Sequence, residues 1–120
     1  MEKNKYEKGM HGQQAAEKFL QSNGYQIRNR NYRIKSGEID LIAQKENTIV
    51  FIEVKYRSGL SYGYPREAVG WAKQQKIVRT ALHYISTRGL DNQDFRFDVI
   101  EVLEQSGHMM INHIENAFDA

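Results

Sequence analysis

Gly37-Glu38-Ile39-Asp40-Leu41-Ile42 and Phe51-Ile52-Glu53-Val54-Lys55 flank the dipeptide Glu46-Asn47, and the way these two runs face each other decides the fold. A symmetric turn centred on Glu46-Asn47, or a four-residue loop from Lys45 to Thr48, folds them into an antiparallel hairpin. Asp40 then lies directly opposite Glu53, and Glu38 opposite Lys55. Opposed side chains share a face, with Cβ atoms roughly 4.5–5.5 Å apart. Two or three carboxylates and one ammonium converge on one patch, which is the donor set of a divalent-metal site with a lysine beside it. A one-residue bulge would move Asp40 away from Glu53, and Glu46-Asn47 lacks the Asn-Gly chemistry that most strongly favours a two-residue turn.

The second of these runs lies in a strand, Thr48–Tyr56, that is apolar on both faces for most of its length. Such a strand belongs in the middle of a covered sheet. Its charges, Glu53 and Lys55, appear only at the C-terminal end, on the Ile49–Phe51 face. Buried ionisable groups are costly without a partner or a metal. That cost is the physical reason to read the cluster as a site, although a structural salt bridge of Lys55 with Glu38 or Glu53 uses the same residues.

Outward from the hairpin, Gly9 to Ser22 carries Ala15, Ala16, Phe19 and Leu20 at helical spacing, with Gly24 as the stop. Tyr25–Arg33 alternates as a strand, and Gly37–Ala43 is the first hairpin strand. Pro65 marks a second helix running to about Thr87, with Ala68, Ala72, Ile77, Ala81, Leu82 and Ile85 as its apolar stripe. Trp71 on this helix is expected in the core, although it would also suit stacking on a base. Phe95–Leu103 and Met109–Ile114 read as two further strands joined by the turn Gln105-Ser106-Gly107. The order α-β-β-β-α-β-β implies an α/β sandwich, a mixed central sheet flanked by helices. Residues 1–8 read as a flexible N-terminal tail and residues 9–120 as a single domain.

Composition narrows the function classes. No apolar stretch reaches the roughly 18 residues of a membrane span, and Met1–Lys8 lacks the apolar segment of a secretory signal. The chain has no cysteine, which excludes disulfides and thiolate metal sites and fits a cytoplasmic location. His11, His83, His108 and His113 lack ligand spacing, which argues against zinc. A net charge of +2 is weak evidence for nucleic acid, but its distribution says more. Arg28, Arg30, Arg33 and Lys35 cluster without an intervening acid, followed by Lys55 and Arg57 and then by Lys73, Lys76 and Arg79 on the second helix. A basic surround with an acidic centre suits a phosphate-bearing substrate. A solvated, soluble surface is the plainer explanation of any one such run.

The combination Gly9-x-x-Gly12, Ala16-x-x-x-Leu20, Gly24-Tyr25, Arg30-Asn31-x-Arg33, Gly37 to Ile42, Val50 to Lys55, Arg57, Gly63, Glu67-Ala68-Val69, Lys73 and Arg96-Phe97-Asp98-Val99 resembles the YraN-type family of bacterial nuclease-like proteins. The resemblance spans Gly9 to about Phe118. It implies a restriction-endonuclease-like three-layer sandwich related to archaeal Holliday-junction resolvases, with a site of the form Asp…Glu-x-Lys. On that resemblance Asp40 and Glu53 would bind Mg²⁺ or Mn²⁺, and Lys55 would be the catalytic lysine. Gln13, Glu38 and Lys73 would be accessory, and Arg28, Arg30, Arg33, Lys35, Arg57 and Lys76 would contact nucleic acid. The family usually has glutamate where this chain has Gln13, which removes one negative charge from the expected site. The expectation is a metal-dependent endonuclease hydrolysing DNA phosphodiester bonds, with branched DNA among its substrates and no membrane partner. A homodimer stays open. The rival is a non-catalytic nucleic-acid-binding or scaffolding module that keeps the nuclease fold.

Overall fold

The computed structural model describes residues 5–58 and 69–120. The chain order is α1 (Lys5–Ser22), β1 (Gln26–Ile34), β2 (Gly37–Lys45), β3 (Thr48–Ser58), α2 (Trp71–Thr87), β4 (Asp94–Gln105) and β5 (His108–Phe118). The five strands form one mixed sheet in sequence order. β3 and β4 run parallel, and every other neighbouring pair is antiparallel. The doubly apolar β3 therefore sits at the centre of the sheet, as its sequence demands.

The hairpin forms in the expected register: Lys45 pairs with Thr48, Ala43 with Val50 and Leu41 with Ile52. Glu46 takes a left-handed φ of 56° to close the turn, a conformation that glycine or asparagine would enter more cheaply. The matching turn between β4 and β5 uses Ser106 and Gly107, also at positive φ.

Two apolar layers lie on opposite faces of the sheet. Ala16 and Leu20 of α1 pack on Leu41, Ala43, Val50, Ile52, Ile100 and Val102. Ile77, Val78, Ala81, Tyr84 and Ile85 of α2 pack on Ile42, Ile49, Phe51, Phe97 and Val99. Phe51 stacks with Phe97 and meets the Tyr84 ring edge-on. Two glycines permit the close approach of the helices. A Cβ added to Gly12 would stand 2.9 Å from Tyr56 Cβ, so Gly12 lets α1 lie against β3. One added to Gly37 would stand 2.6 Å from Thr80 Oγ1 and 3.1 Å from the Lys76 carbonyl, so Gly37 lets α2 lie against β2.

Four expectations change. The first helix begins at Lys5 rather than near Gly9, so residues 5–8 are helical rather than tail. The second begins at Trp71 with Gly70 as its N-cap, and Pro65, Gly63, Glu67 and Ala68 lie outside the described residues. Within α2, Leu82 and Ala72 are exposed and Tyr84 supplies the large buried side chain. Trp71, the first residue of α2, is 75% exposed rather than in the core.

Candidate functional site

The site begins where the hairpin ladder stops. Beyond Leu41–Ile52, the Val54 backbone N–H donates to Asp40 Oδ2 at 2.8 Å. A side-chain oxygen has replaced the backbone acceptor, so the two strands part and the Asp40 carboxylate turns toward Glu53. The expected pairing of Glu38 with Lys55 does not form. Glu38 instead accepts from Arg33 Nη2 at 2.8 Å, within β2's pairing to β1.

α2 closes the other side of the cluster. Because Gly37 admits the helix, its first turns lie over the carboxylates, and Lys73 Nζ reaches Glu53 Oε1 at 2.5 Å. Asp40, Glu53, Glu38, Lys73 and Lys76 line a cleft of about 150 Å³, together with Gly37 and Ile77. A broader cleft of about 550 Å³ adjoins it, lined by Glu53, Lys55, Arg57 and Lys73 among others. Glu53 and Lys73 belong to both. The structure thus brings Asp40, Glu53 and Lys55 together on the α2 face, with Lys73 between them.

The electrostatics are uneven. Burial pushes the Asp40 carboxyl up to about 6, and the neighbouring Glu53 charge adds to the shift; the Val54 N–H and Lys73 only partly offset it. For Lys73, burial works against the charged form, but the hydrogen bond and charge of Glu53, with Asp40 and Glu38 behind, outweigh it and raise the ammonium. Lys55 is pulled the other way: burial, then Arg57 and Lys73, lower it, while Glu53 and Glu101 hold against them. Of the three carboxylates lining this cleft, Glu38 is paired with Arg33 and Glu53 with Lys73, whereas Asp40 has no ion pair among the described residues.

That deficit defines what the cleft can hold. Two hard carboxylate oxygen donors suit Mg²⁺ or Mn²⁺, which commonly take one or two protein carboxylates and fill their remaining positions with water and phosphate oxygens. Among the described residues no third histidine, aspartate or glutamate completes an all-protein cage. A cation on Glu53 would compete with the Lys73 ammonium.

The expected basic surround divides. Arg57 and Lys76 line the clefts, and Arg33 reaches the cluster through Glu38. Arg28 instead donates to the Tyr84 hydroxyl and Gln44 Oε1, at 2.9 and 2.7 Å. Arg30 pairs with Glu17 of α1, on the opposite face of the sheet. Lys35 is exposed beyond the end of β1. Gln13 is buried but lines the groove between α1 and β1, with Glu17, Arg30 and Asn31. The structure does not bring it into the lining of the carboxylate cleft.

Two features escaped the sequence. Glu101, 1% exposed, lies on β4 directly beside Lys55, and Asn112 Nδ2 donates to its Oε1 at 2.9 Å. The signal was present: Phe97, Val99 and Glu101 share one strand face, and the third is a charge on a buried stripe. On the α1 face, Asp98 accepts from both Arg96 Nε and Nη2 at 2.9 Å and from the Asn116 N–H at 3.1 Å. His113 Nε2 lies 2.7 Å from its Oδ2, so one histidine without ligand spacing is bound into the core.

The sequence comparisons agree with one another. The profile of the uncharacterised protein family UPF0102 matches residues 12–102. A UPF0102 protein of Clostridioides difficile is 49% identical over 117 residues, covering 96% of this chain and 99% of the relative. One of Alkaliphilus metalliredigens is 50% identical over 107 residues, covering 89% and 93%. One of Myxococcus xanthus is 39% identical over 114 residues, covering 95% and 90%.

Proposed function

We infer the function from one premise: the chain belongs to the uncharacterised protein family UPF0102, the YraN type. We propose that it is a metal-dependent nuclease of the restriction-endonuclease-like kind, acting on DNA phosphodiester bonds in the cytoplasm. The observation that carries this reading is the Asp40–Glu53 pair, two neighbouring carboxylates in a cation-rimmed cleft, one of them raised to about 6. Two neighbouring carboxylates, of which Asp40 has no ion pair among the described residues, favour a divalent cation. When bound, Mg²⁺ or Mn²⁺ would neutralise charge developing on a phosphate.

The chain's own residues do the rest. Asp40 and Glu53 would hold the cation. Lys55 faces the adjoining cleft, where an ammonium orients the attacking water or stabilises the phosphate oxygens. Arg57 and Lys76 hold the flanking phosphates. Lys73 neutralises Glu53 and lines both clefts, where its ammonium would also meet a phosphate. Branched DNA is the favoured substrate form on the family resemblance alone.

The Lys73–Glu53 ion pair also favours a second reading, a nucleic-acid-binding module whose cleft is closed by its own lysine. A cleavage assay separates them. Duplex, single-stranded, flap and four-way-junction DNA are incubated with Mg²⁺ or Mn²⁺, using wild type and Asp40→Ala. Cleavage of one or more forms, lost in Asp40→Ala, is the expected outcome. Salt-sensitive binding without cleavage by either protein supports the module.

A further inference from the structure

We infer that the groove between α1 and β1 is a second binding site, which takes a nucleotide through an unpaired base whose edge sets a donor beside an acceptor, as adenine's does. The inference goes beyond the nuclease reading and does not depend on it. A free nucleotide and a single strand present the same groups to the groove.

The groove measures about 490 Å³, within the range of small-molecule sites. Gln13 singles it out. This residue is 8% exposed, it lines the groove, and its carboxamide has no hydrogen-bond partner among the described residues. No fully buried polar side-chain atom is left unpaired there, so the Gln13 amide opens on the groove rather than being sealed beneath it. A carboxamide carries its acceptor and its donor side by side, and glutamine pairs with adenine through both at once.

Arg30 supplies the second element. Its Nε donates to both Glu17 carboxylate oxygens at 2.9 Å, and its Nη2 donates to one of them. Such bonds lie in the guanidinium plane, so they fix the plane and leave its flat faces for stacking, the contact arginine makes with unpaired bases. Met10 adds an apolar wall. Lys18 lines the same groove and is exposed, which places an ammonium where a phosphate keeps its contact with water. Glu17 is the one acid of the lining, against Arg30 and Lys18, and that balance suits a ligand with a single phosphate.

Nuclear magnetic resonance titration of the full chain without metal tests this. The probes are adenosine monophosphate, a deoxyadenosine oligonucleotide, the same strand carrying abasic sites, and a duplex. The oligonucleotide should shift the Gln13 carboxamide resonances and bind about tenfold more tightly than the abasic strand or the duplex. Gln13→Leu keeps the bulk without the amide, and Arg30→Lys keeps the charge without the plane; each should erase most of that preference. Shifts with the monophosphate as well identify a site for a free nucleotide, and shifts with the oligonucleotide alone identify a base held within a strand; both support the site. The proposal is overturned if neither adenine probe moves the Gln13 resonances, or if the abasic strand binds as tightly as the oligonucleotide. Should Gln13→Leu fail to fold, Arg30→Lys carries the test, and an unchanged adenine preference in it is the contrary result. No metal is present and no bond is cut, so failure here leaves the nuclease reading standing. A protein that binds adenine but cleaves no DNA keeps this site and loses that reading.

Discussion

The sheet buries a carboxylate cluster on each face, and the two are built in opposite ways. On the α1 face, Asp98 is 0% exposed yet saturated: two bonds from Arg96, one from the Asn116 N–H and a short contact with His113. Arg96 is held in turn by the Tyr25 hydroxyl at 2.7 Å and Glu115 at 3.1 Å. Burial opposes the ionised form of Asp98, but these donors outweigh it and leave the carboxyl below its ordinary value. On the α2 face, Asp40 has one backbone donor and a second carboxylate beside it, and it is raised to about 6. Both clusters sit at strand positions that the fold could have filled with apolar residues. One is closed on itself, with Phe19 of α1 set edge-on against its His113 ring. The other is left open toward a cleft, with an electrostatic cost that a ligand can relieve. The difference between structural and functional buried charge lies in the partner count, not in burial.

Removing Asp98 is the largest way to break this contrast. Asp98→Ala orphans Arg96, the Asn116 N–H and His113 within the core, and should destabilise the fold by about 3–5 kcal/mol in urea unfolding. Removing the charge of Asp40 should act with the opposite sign. Asp40→Asn keeps an acceptor for the Val54 N–H and relieves the repulsion with Glu53. It should stabilise the metal-free protein at pH 7–8 by on the order of 1–2 kcal/mol, allowing for solvent screening.

The pH dependence of the two clusters follows from their shifts. Asp40 is raised in the folded state, so its contribution is complete below the unfolded value and lost as pH rises through about 6. Asp98 is lowered, so its contribution is present above the unfolded value and lost as pH falls through the folded one. The stability gained by Asp40→Asn should therefore grow between about pH 4 and pH 6 and level off above it, as read by thermal unfolding across pH. A gain that is constant with pH would place the effect in packing rather than charge.

A smaller effect is expected at Lys73. Its side chain is more than half exposed, so Lys73→Met should cost no more than about 1 kcal/mol at pH 7 despite the short contact with Glu53. The same change should move the Asp40 carboxyl further upward, because the Lys73 charge that helps the Val54 N–H to lower it disappears. Gln13→Glu sharpens the comparison from the other side. It lies in the α1–β1 groove, so the added carboxylate should leave Mn²⁺ affinity unchanged.

Much of this was legible in the sequence, for reasons that differ by residue. The hairpin register follows from a symmetric turn and strict side-chain alternation, two independent constraints that agree at Asp40 and Glu53. The central place of β3 follows from apolar residues on both faces. The split of the arginines was not legible. Arg28 and Arg30 are two apart and read as one face, but a bulge between Ile27 and Asn29 re-aims the strand there, sending Arg28 to Tyr84 and Arg30 to Glu17. Nothing in Ile27-Arg28-Asn29 announces that extra residue. The start of α2 was misplaced because Pro65 is the stronger signal in sequence, whereas Gly70 is where the backbone turns helical. Arg96, Asp98 and His113 meet only through the β4–β5 pairing and α1, a long-range convergence that no local pattern encodes.

Calorimetric titration of Mn²⁺ at pH 6, in two buffers of different ionisation enthalpy, tests the central claim most directly. The account predicts one Mn²⁺ per chain in the wild type, with release of about half a proton as Asp40 ionises fully, and loss of both binding and proton release in Asp40→Ala. Equal binding by wild type and Asp40→Ala, or no binding by either, would contradict it and leave the open cluster without a ligand.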